Sequence, residues 1–330
     1  MCTAVSSTGE RHLFGRTLDL EYSYGESVVT TPSAFDFNFI YEKKRLPSLA
    51  MIGTAHIANG VPLYYDAVNE AGLCAAGLNF PQFAVYRPYE TCKHNVASFE
   101  LIPWVLGQCR SLNEAISLLE NTNVTSDQFS PELPSTPLHW LISDKSGSIA
   151  VEPMENGLNI HDDPFGVLTN SPPFPFHLSN LSNYMGLAPS APSNTLFPGT
   201  ELAYYSRGLG AFGLPGDFSS ASRFVRAVFA NTHTHKGISK QEQVGGFFHV
   251  MDTVSQPKGC ALTETGRPIY TVYTSCADTE SGEYYFTTYG CRQIRCVRLT
   301  DAAKRSDTIT ALSMDADENI LQGTVSFSAE

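Results

Sequence analysis

The chain predicts an α+β fold in which strands and helices are segregated along the sequence. Three observations predict it. Short β-branched and apolar runs separated by Gly, Pro and Asn fill roughly the first ninety positions, two helical patterns follow, and then a strand block, a helical block and a final strand pair close the 330 residues. A doubly wound fold would alternate strand with helix throughout.

Residues 2–6, 27–31, 49–54 and 73–78 read as strands between turn-forming residues. Residues 99–109 read as a helix that is mostly apolar and therefore buried. A second helix is opened by Ser111-Leu112-Asn113-Glu114 as a capping box, with Ala115, Leu118 and Leu119 on one side. Strands return at 138–142, 150–153 and 158–161, linked by the turn sequences Asp144-Lys145-Ser146-Gly147 and Glu155-Asn156-Gly157. The span 171–199 is proline-rich and aperiodic but too apolar for a disordered linker, so it reads as an ordered loop serving a site or an interface. Helices follow at 219–231 and from Ser239, whose Ser239-Lys240-Gln241-Glu242 is a second capping box. Strands at 269–275 and 282–288, joined by Asp278-Thr279-Glu280-Ser281, complete the pattern. Length alone would suggest two domains, although one large sandwich uses as many residues.

With 33 acidic against 21 basic side chains the net charge is −12, which argues against nucleic acid as a partner, since phosphate recognition draws on clustered Lys and Arg. At 42% hydrophobic and 16% charged residues the chain is expected to fold around a large core. The longest apolar stretches, such as 49–58, are broken by Gly, Thr and His well short of the roughly 20 residues of a membrane span. Residues 1–6 have neither a basic nor an apolar leader region, so a cytoplasmic protein is expected. Eight scattered cysteines then read as reduced thiols, and the sequons at Asn123 and Asn180 as chance. Neither Cys291/Cys296 nor His233/His235 completes a four-ligand zinc pattern, and no metal is expected.

Position 2 is the most informative place in the chain. Removal of Met1 would leave Cys2 with a thiol and a free α-amine on one residue. A thiol of pKa about 8.5 beside an amine of pKa about 7.7–8.0 can supply nucleophile and base together. Taken alone, Met-Cys is an incidental beginning, and the surrounding motifs change that reading.

Phe14-Gly15-Arg16-Thr17-Leu18-Asp19 resembles the FGRNxD signature of the choloylglycine hydrolase family, within the N-terminal nucleophile hydrolases. Further matches follow in the family's order: Asn69-Glu70-Ala71-Gly72-Leu73, then Ala76-Gly77-Leu78-Asn79-Phe80-Pro81, then Leu138-His139-Trp140. After them come Val167-Leu168-Thr169-Asn170-Ser171-Pro172, the stretch from Gly213 to Phe224, and the region of Tyr284 to Tyr289. The resemblance covers almost the whole chain and is closest to bacterial bile salt hydrolases. It implies one catalytic domain over 1–330 whose mature chain starts at Cys2, folded as a four-layer αββα sandwich with two mainly antiparallel sheets between helical layers. It also implies a homotetramer that needs no cofactor.

The resemblance assigns roles residue by residue. Cys2 attacks the amide carbonyl and its amine shuttles the proton. Asp19 holds the amine, Arg16 favours the thiolate, Asn79 and Asn170 offer amide N–H donors to the oxyanion, and Arg223 is a second charge stabiliser. Without the resemblance Arg16 and Asp19 would be an ordinary ion pair and the asparagines turn residues. Leu18, Ile57, Ala58, Tyr65, Phe129, Leu133 and Leu138 match apolar steroid contacts, with Tyr22 and Tyr24 flanking the entrance. As bare residues these would read as core, but residues 121–137 form a Ser-, Thr- and Pro-rich loop on which Phe129 and Leu133 suggest a binding surface.

The implied reaction is hydrolysis of glycine- or taurine-conjugated bile salts through a thioester. Penicillin V acylases of the same family usually carry an aromatic residue where Asn79 stands, which leans the reading toward bile salts. The alternatives are a penicillin V acylase and a ligand-binding member without turnover.

Overall fold

A computed structural model describes residues 1–43, 48–320 and 322–323. The first strand block is β1 (Cys2–Ser7), β2 (Leu13–Leu20), β3 (Ser27–Thr31), β4 (Met51–Ala58), β5 (Val61–Asn69), β6 (Cys74–Asn79) and β7 (His94–Ala97). Helices α1 (Leu101–Gln108) and α2 (Leu112–Leu119) follow, then β8 (Thr122–Thr125), β9 (Leu138–Asp144), β10 (Gly147–Met154), β11 (Gly157–Asp162) and β12 (Val167–Leu168). The last third holds α3 (Phe174–Leu181), α4 (Ser220–His233), α5 (Lys240–Asp252), β13 (Ala261–Leu262), β14 (Pro268–Asp278), β15 (Glu283–Thr288), β16 (Cys291–Arg298), α6 (Asp301–Lys304) and β17 (Thr310–Ser313).

Two antiparallel sheets carry the fold. The first runs β12-β1-β2-β14-β15-β16, with β13 beside β14, and the second runs β11-β10-β9-β6-β5-β4-β3-β17. Helices α4 and α5 lie on the first sheet and α1 and α2 on the second, so the order is helices, sheet, sheet, helices. One apolar cluster joins β1, β2, β6 and β14 to Phe224 of α4 and Phe247 of α5. The other packs Trp104 and Leu101 of α1 against Ala75 of β6 and Ile142 of β9. Central strands are therefore covered on both faces, and all of β1 is buried.

Local chemistry explains the boundaries. Helix α1 is buried from Leu101 to Gly107, as its apolar periphery requires. At α2 Ser111 accepts from Glu114 N, but the Glu114 side chain turns to Arg110 N at 2.7 Å, so only half of the expected capping box forms. The box at Ser239 is complete. The β9–β10 and β10–β11 hairpins turn where expected, pairing Asp144 with Gly147 and Met154 with Gly157. In β2, a Cβ on Gly15 would stand 1.9 Å from the Ser275 carbonyl oxygen, so only glycine lets β2 and β14 approach.

Two expectations need correction. The span 171–199 is not wholly loop, because α3 and a short 3₁₀ turn at Ser182–Tyr184 occupy part of it. The helix starts with Pro173 as its cap and Pro175 in its first turn, where a missing N–H breaks no helical bond, and it buries Phe174 and His177. The span 121–137 likewise opens as strand β8, paired in parallel with β7, before the loop begins.

Candidate active site

Pairing of β1 with β2 sets Cys2 opposite Leu18 and Ala4 opposite Arg16, while pairing of β2 with β14 sets Asp19 opposite Thr271. Strand β6 ends at Asn79. The segment after β12 brings in Asn170, whose backbone N–H donates to Ser220 Oγ at 2.9 Å and whose carbonyl accepts from His177 Nε2 at 2.9 Å. Arg223 comes from the first turn of α4. The expected catalytic residues Cys2, Arg16, Asp19, Asn79, Asn170 and Arg223 thus gather at one end of the sheet pair.

Cys2 is 2% exposed, and its backbone N–H donates to Asn170 Oδ1 at 2.8 Å. Asn170 Oδ1 also accepts from Arg223 Nη2 at 2.6 Å, and Asn170 Nδ2 donates to the Asn79 carbonyl at 2.7 Å. Donors on one side and an acceptor on the other leave a single sensible orientation for this amide. The oxygen of Asn170 thus faces Cys2, and of the two side-chain N–H bonds that the resemblance would offer to an oxyanion one is taken by the Asn79 carbonyl. Arg223 also holds main chain, donating to the Cys2 carbonyl, to Thr3 Oγ1 at 2.6 Å and to the Phe218 carbonyl at 3.1 Å. Burial lowers its pKa against the opposing influence of Asp19 and Cys2.

Arg16 is fully buried and donates through Nη1 to the Tyr65 and Gly77 carbonyls at 3.0 and 2.5 Å, bridging the two sheets. Its Nη2 has no hydrogen-bond partner. Burial alone would lower its pKa, but Cys2, Tyr273, Asp66 and Asp19 raise it overall, so the cation is firmly held. Asp66 accepts from Tyr273 and Tyr284 hydroxyls, each at 2.6 Å. Burial pushes its pKa up against the opposing pull of Arg16 and those hydroxyls. The Asp19 carboxylate accepts from Thr271, Gln256 and Thr17 rather than from Cys2 N. Met1 pairs instead with the main chain of Asp19, its amine donating to the carbonyl at 2.6 Å and its carbonyl accepting from Asp19 N at 2.9 Å.

Cys2 and Arg16 stand in the wall of a cavity of about 290 Å³. Leu18, Tyr24, Tyr65, Phe129, Leu133 and Leu138 line it as expected, together with Asn79. Tyr22 does not line it, but its hydroxyl lies 2.8 Å from that of Tyr24 at the exposed rim. Ile57 and Ala58 do not line it. His56 takes the cavity side of β4, so Ile57 turns to the opposite face and packs on the α1 cluster. Ala58 sits at the hairpin end, opposite Val61.

The sequence reading missed His56, Leu63, Phe99, Ser98, Glu132 and Thr136 in this wall. Phe99 alone carried a signal, as an aromatic residue just before α1, and it meets Phe129 edge-on at 5.5 Å between centroids. Gln256 and Thr271, which hold Asp19, carried none. Among the described residues no group of three or more His, Cys, Asp or Glu is arranged to hold a metal ion.

Residues 2–312 match the model of the linear amide C–N hydrolases, choloylglycine hydrolase family. The chain belongs to this family. It is 44% identical over 299 residues to a bile salt hydrolase/transferase of Lactiplantibacillus plantarum, covering 91% of this chain and 92% of that protein. It is 35% identical to a conjugated bile acid hydrolase of Lactobacillus acidophilus over 94% of this chain and 99% of that one. A crystal structure of a mutant conjugated bile acid hydrolase from Clostridium perfringens superimposes with a TM-score of 0.90 at 34% identity, covering 98% of this chain and all of that one. A penicillin V acylase from Agrobacterium tumefaciens, at 22% identity and a TM-score of 0.76 over 96% of this chain and 92% of that one, shares the fold. The expected α+β sandwich and the family's hydrolysis of linear amides are thereby established for this protein.

Proposed function

We propose that the chain, once Met1 is removed, hydrolyses the amide bond of glycine- or taurine-conjugated bile salts with Cys2 as nucleophile. The observation that carries this reading is Cys2 in the wall of a largely apolar cavity, with its nitrogen aimed at Asn170 Oδ1. Removal of Met1 turns that nitrogen into an α-amine beside the thiol and frees the main-chain groups of Asp19 that Met1 occupies. The amine takes the thiol proton, the sulfur bonds to the amide carbon, and the oxyanion is met by the unpartnered Arg16 Nη2 and the Asn79 side-chain amide. Collapse breaks the C–N bond as the α-ammonium gives its proton to the departing nitrogen. Glycine or taurine leaves and a thioester remains. Water, deprotonated by the same amine, then attacks the thioester, releasing the bile acid and restoring the thiol.

Asn170 and Arg223 position the amine in this scheme, and Asp19 is its second anchor. Leu18, Tyr65, Phe99, Phe129, Leu133 and Leu138 supply the apolar walls a flat steroid needs. The relatives, bile salt and conjugated bile acid hydrolases, favour bile salts, and Asn79 in place of an aromatic residue agrees.

We read the chain as one catalytic domain and propose a cytoplasmic homotetramer. No helix among the described residues is long and apolar enough to cross a membrane, and Cys92, Cys260 and Cys296 are exposed free thiols that suit a reducing compartment. The segment 185–212 exposes Met185, Leu196, Phe197, Tyr205 and Phe212, an apolar surface suited to contact with another copy. Light scattering on the purified protein checks the mass.

The deciding experiment compares glycocholate, taurocholate and penicillin V as substrates of protein whose N-terminus is verified by mass. Release of glycine or taurine is expected, with penicillin V the poorer substrate. Faster cleavage of penicillin V, or no cleavage by protein that begins at Cys2, refutes the reading.

A further inference from the structure

Asp19 is held by two residues that the reaction scheme has not used. Thr271 Oγ1 donates to Asp19 Oδ1 at 2.7 Å, and Gln256 Nε2 donates to Asp19 Oδ2 at 3.2 Å. The proton direction at Thr271 is forced. Its oxygen accepts from the backbone N–H of Gln256 at 2.8 Å, a group that can only donate, so its own hydrogen is left for the carboxylate. The side chain of Gln256 therefore holds one oxygen of Asp19, while its backbone N–H, which any residue there would supply, orients Thr271 at the other. Thr17 Oγ1 adds a third donor, to Oδ2 at 3.2 Å.

The amide of Gln256 is costly where it stands. The residue is 0% exposed, and its Oε1 has no hydrogen-bond partner. Turning the amide over would set Oε1 against Asp19 Oδ2, two acceptors together, so the orientation is fixed by the carboxylate. Gln256 also stands in the wall of a second cavity, of about 720 Å³, bounded by Phe248 of α5 and by Thr274 and Tyr289. An apolar side chain of similar length would occupy the position without stranding a buried acceptor. The one favourable contact that the side-chain amide makes with another side chain is its N–H to Asp19.

We propose that Gln256 is a positioning residue for the amide hydrolysis, its side-chain amide holding Asp19 Oδ2 so that the carboxylate anchors the α-amine of Cys2. This rests on the Cys2 chemistry proposed above. Gln256 touches neither substrate nor thiol, and it acts through Asp19 alone. Its retention trades stability for catalytic geometry.

The test uses the mature enzyme with glycocholate. Gln256→Met is expected to lower kcat about tenfold or more with KM within about twofold, while its melting temperature stays close to the parent's, because relief of the orphaned Oε1 offsets the lost bond to Asp19. A structural role predicts the opposite pairing, a lower melting temperature with intact kcat in the folded fraction. Gln256→Glu sets a second carboxylate against Asp19, and its deficit relative to the parent is expected to shrink as the pH falls from about 8 to about 5, because a protonated Glu regains a donor. Parental kcat in Gln256→Met overturns the proposal, as does a deficit in Gln256→Glu that is independent of pH. A parent enzyme that releases no glycine overturns the underlying function, whereas an active parent with an unaffected Gln256→Met overturns this inference alone.

Discussion

Replacing Asn170 tests the centre of the site. Its side chain makes three bonds within 2.8 Å: from Cys2 N, from Arg223 Nη2 and to the Asn79 carbonyl. Asn170→Ala removes all three and strips the fully buried Arg223 guanidinium of one acceptor. A hydrogen bond to a charged group contributes about 1.5–3 kcal/mol and a neutral one about 1 kcal/mol, so a loss of about 3–4 kcal/mol in unfolding free energy is expected once partial relaxation is allowed. With Cys2 no longer held, kcat should fall about 10²–10³-fold, the range seen when one aligned donor or a small displacement is lost at a reacting centre. Asn170→Asp separates the two effects. Its oxygens can still accept from Cys2 and Arg223, but the second oxygen then faces the Asn79 carbonyl, acceptor against acceptor. This variant is expected to melt nearer the parent than Asn170→Ala does and to retain an intermediate kcat. The measurements are urea unfolding and glycine release from glycocholate over a range of concentrations. Asn170→Ala with more than half of the parental kcat would refute the argument that this amide positions the nucleophile.

Cys2→Ala should abolish turnover and Cys2→Ser should leave a weak enzyme at best, whereas protein that retains Met1 should be folded and inactive. Intact mass combined with specific activity checks all three, and full activity with Met1 in place would contradict the shared role of thiol and amine. Phe129→Ala and Leu133→Ala each remove a half-buried wall of the cavity, so each should raise KM for glycocholate about 10- to 100-fold, corresponding to roughly 1.5–3 kcal/mol of side-chain burial, without slowing alkylation of Cys2. Unchanged KM in both would remove that loop from the pocket. Glu283 tests acid stability. Burial alone would raise its pKa, but Lys240, Tyr285 and Ser281 hold it at about 2, below the ordinary 4.5. A depressed acid stabilises the fold above its unfolded pKa and loses that contribution as pH falls toward the folded value. Glu283→Gln should therefore be less stable than the parent at neutral pH, with the gap in urea midpoint closing between about 4.5 and about 2. A gap independent of pH would show that the ion pairs of Glu283 contribute nothing.

Much of this protein is legible before any coordinates. Capping residues at Ser111 and Ser239, turn sequences between β9, β10 and β11, and the segregation of strands from helices are local properties of short stretches, and local physics decides them. So is the pairing of a thiol with a potential α-amine at position 2, and the run from Phe14 to Asp19 pointed to the family. Tertiary structure decided the rest. Strand β16 was missed because Arg292, Arg295 and Arg298 read as polar surface, which suits an edge strand and hides it from a search for apolar alternation. Helix α3 was hidden by prolines that are harmless only because they fall at its start. The site itself joins residues 168, 221 and 91 positions apart, Cys2 to Asn170, Cys2 to Arg223 and Asn79 to Asn170, and no periodicity carries such information. Which oxygen or nitrogen of Asn170 faces Cys2, which side of β4 meets the cavity, and which glutamine holds Asp19 are settled by the donors and acceptors that the two sheets bring together. A hydrogen bond has direction, and the partner that supplies that direction is known only once the chain has folded.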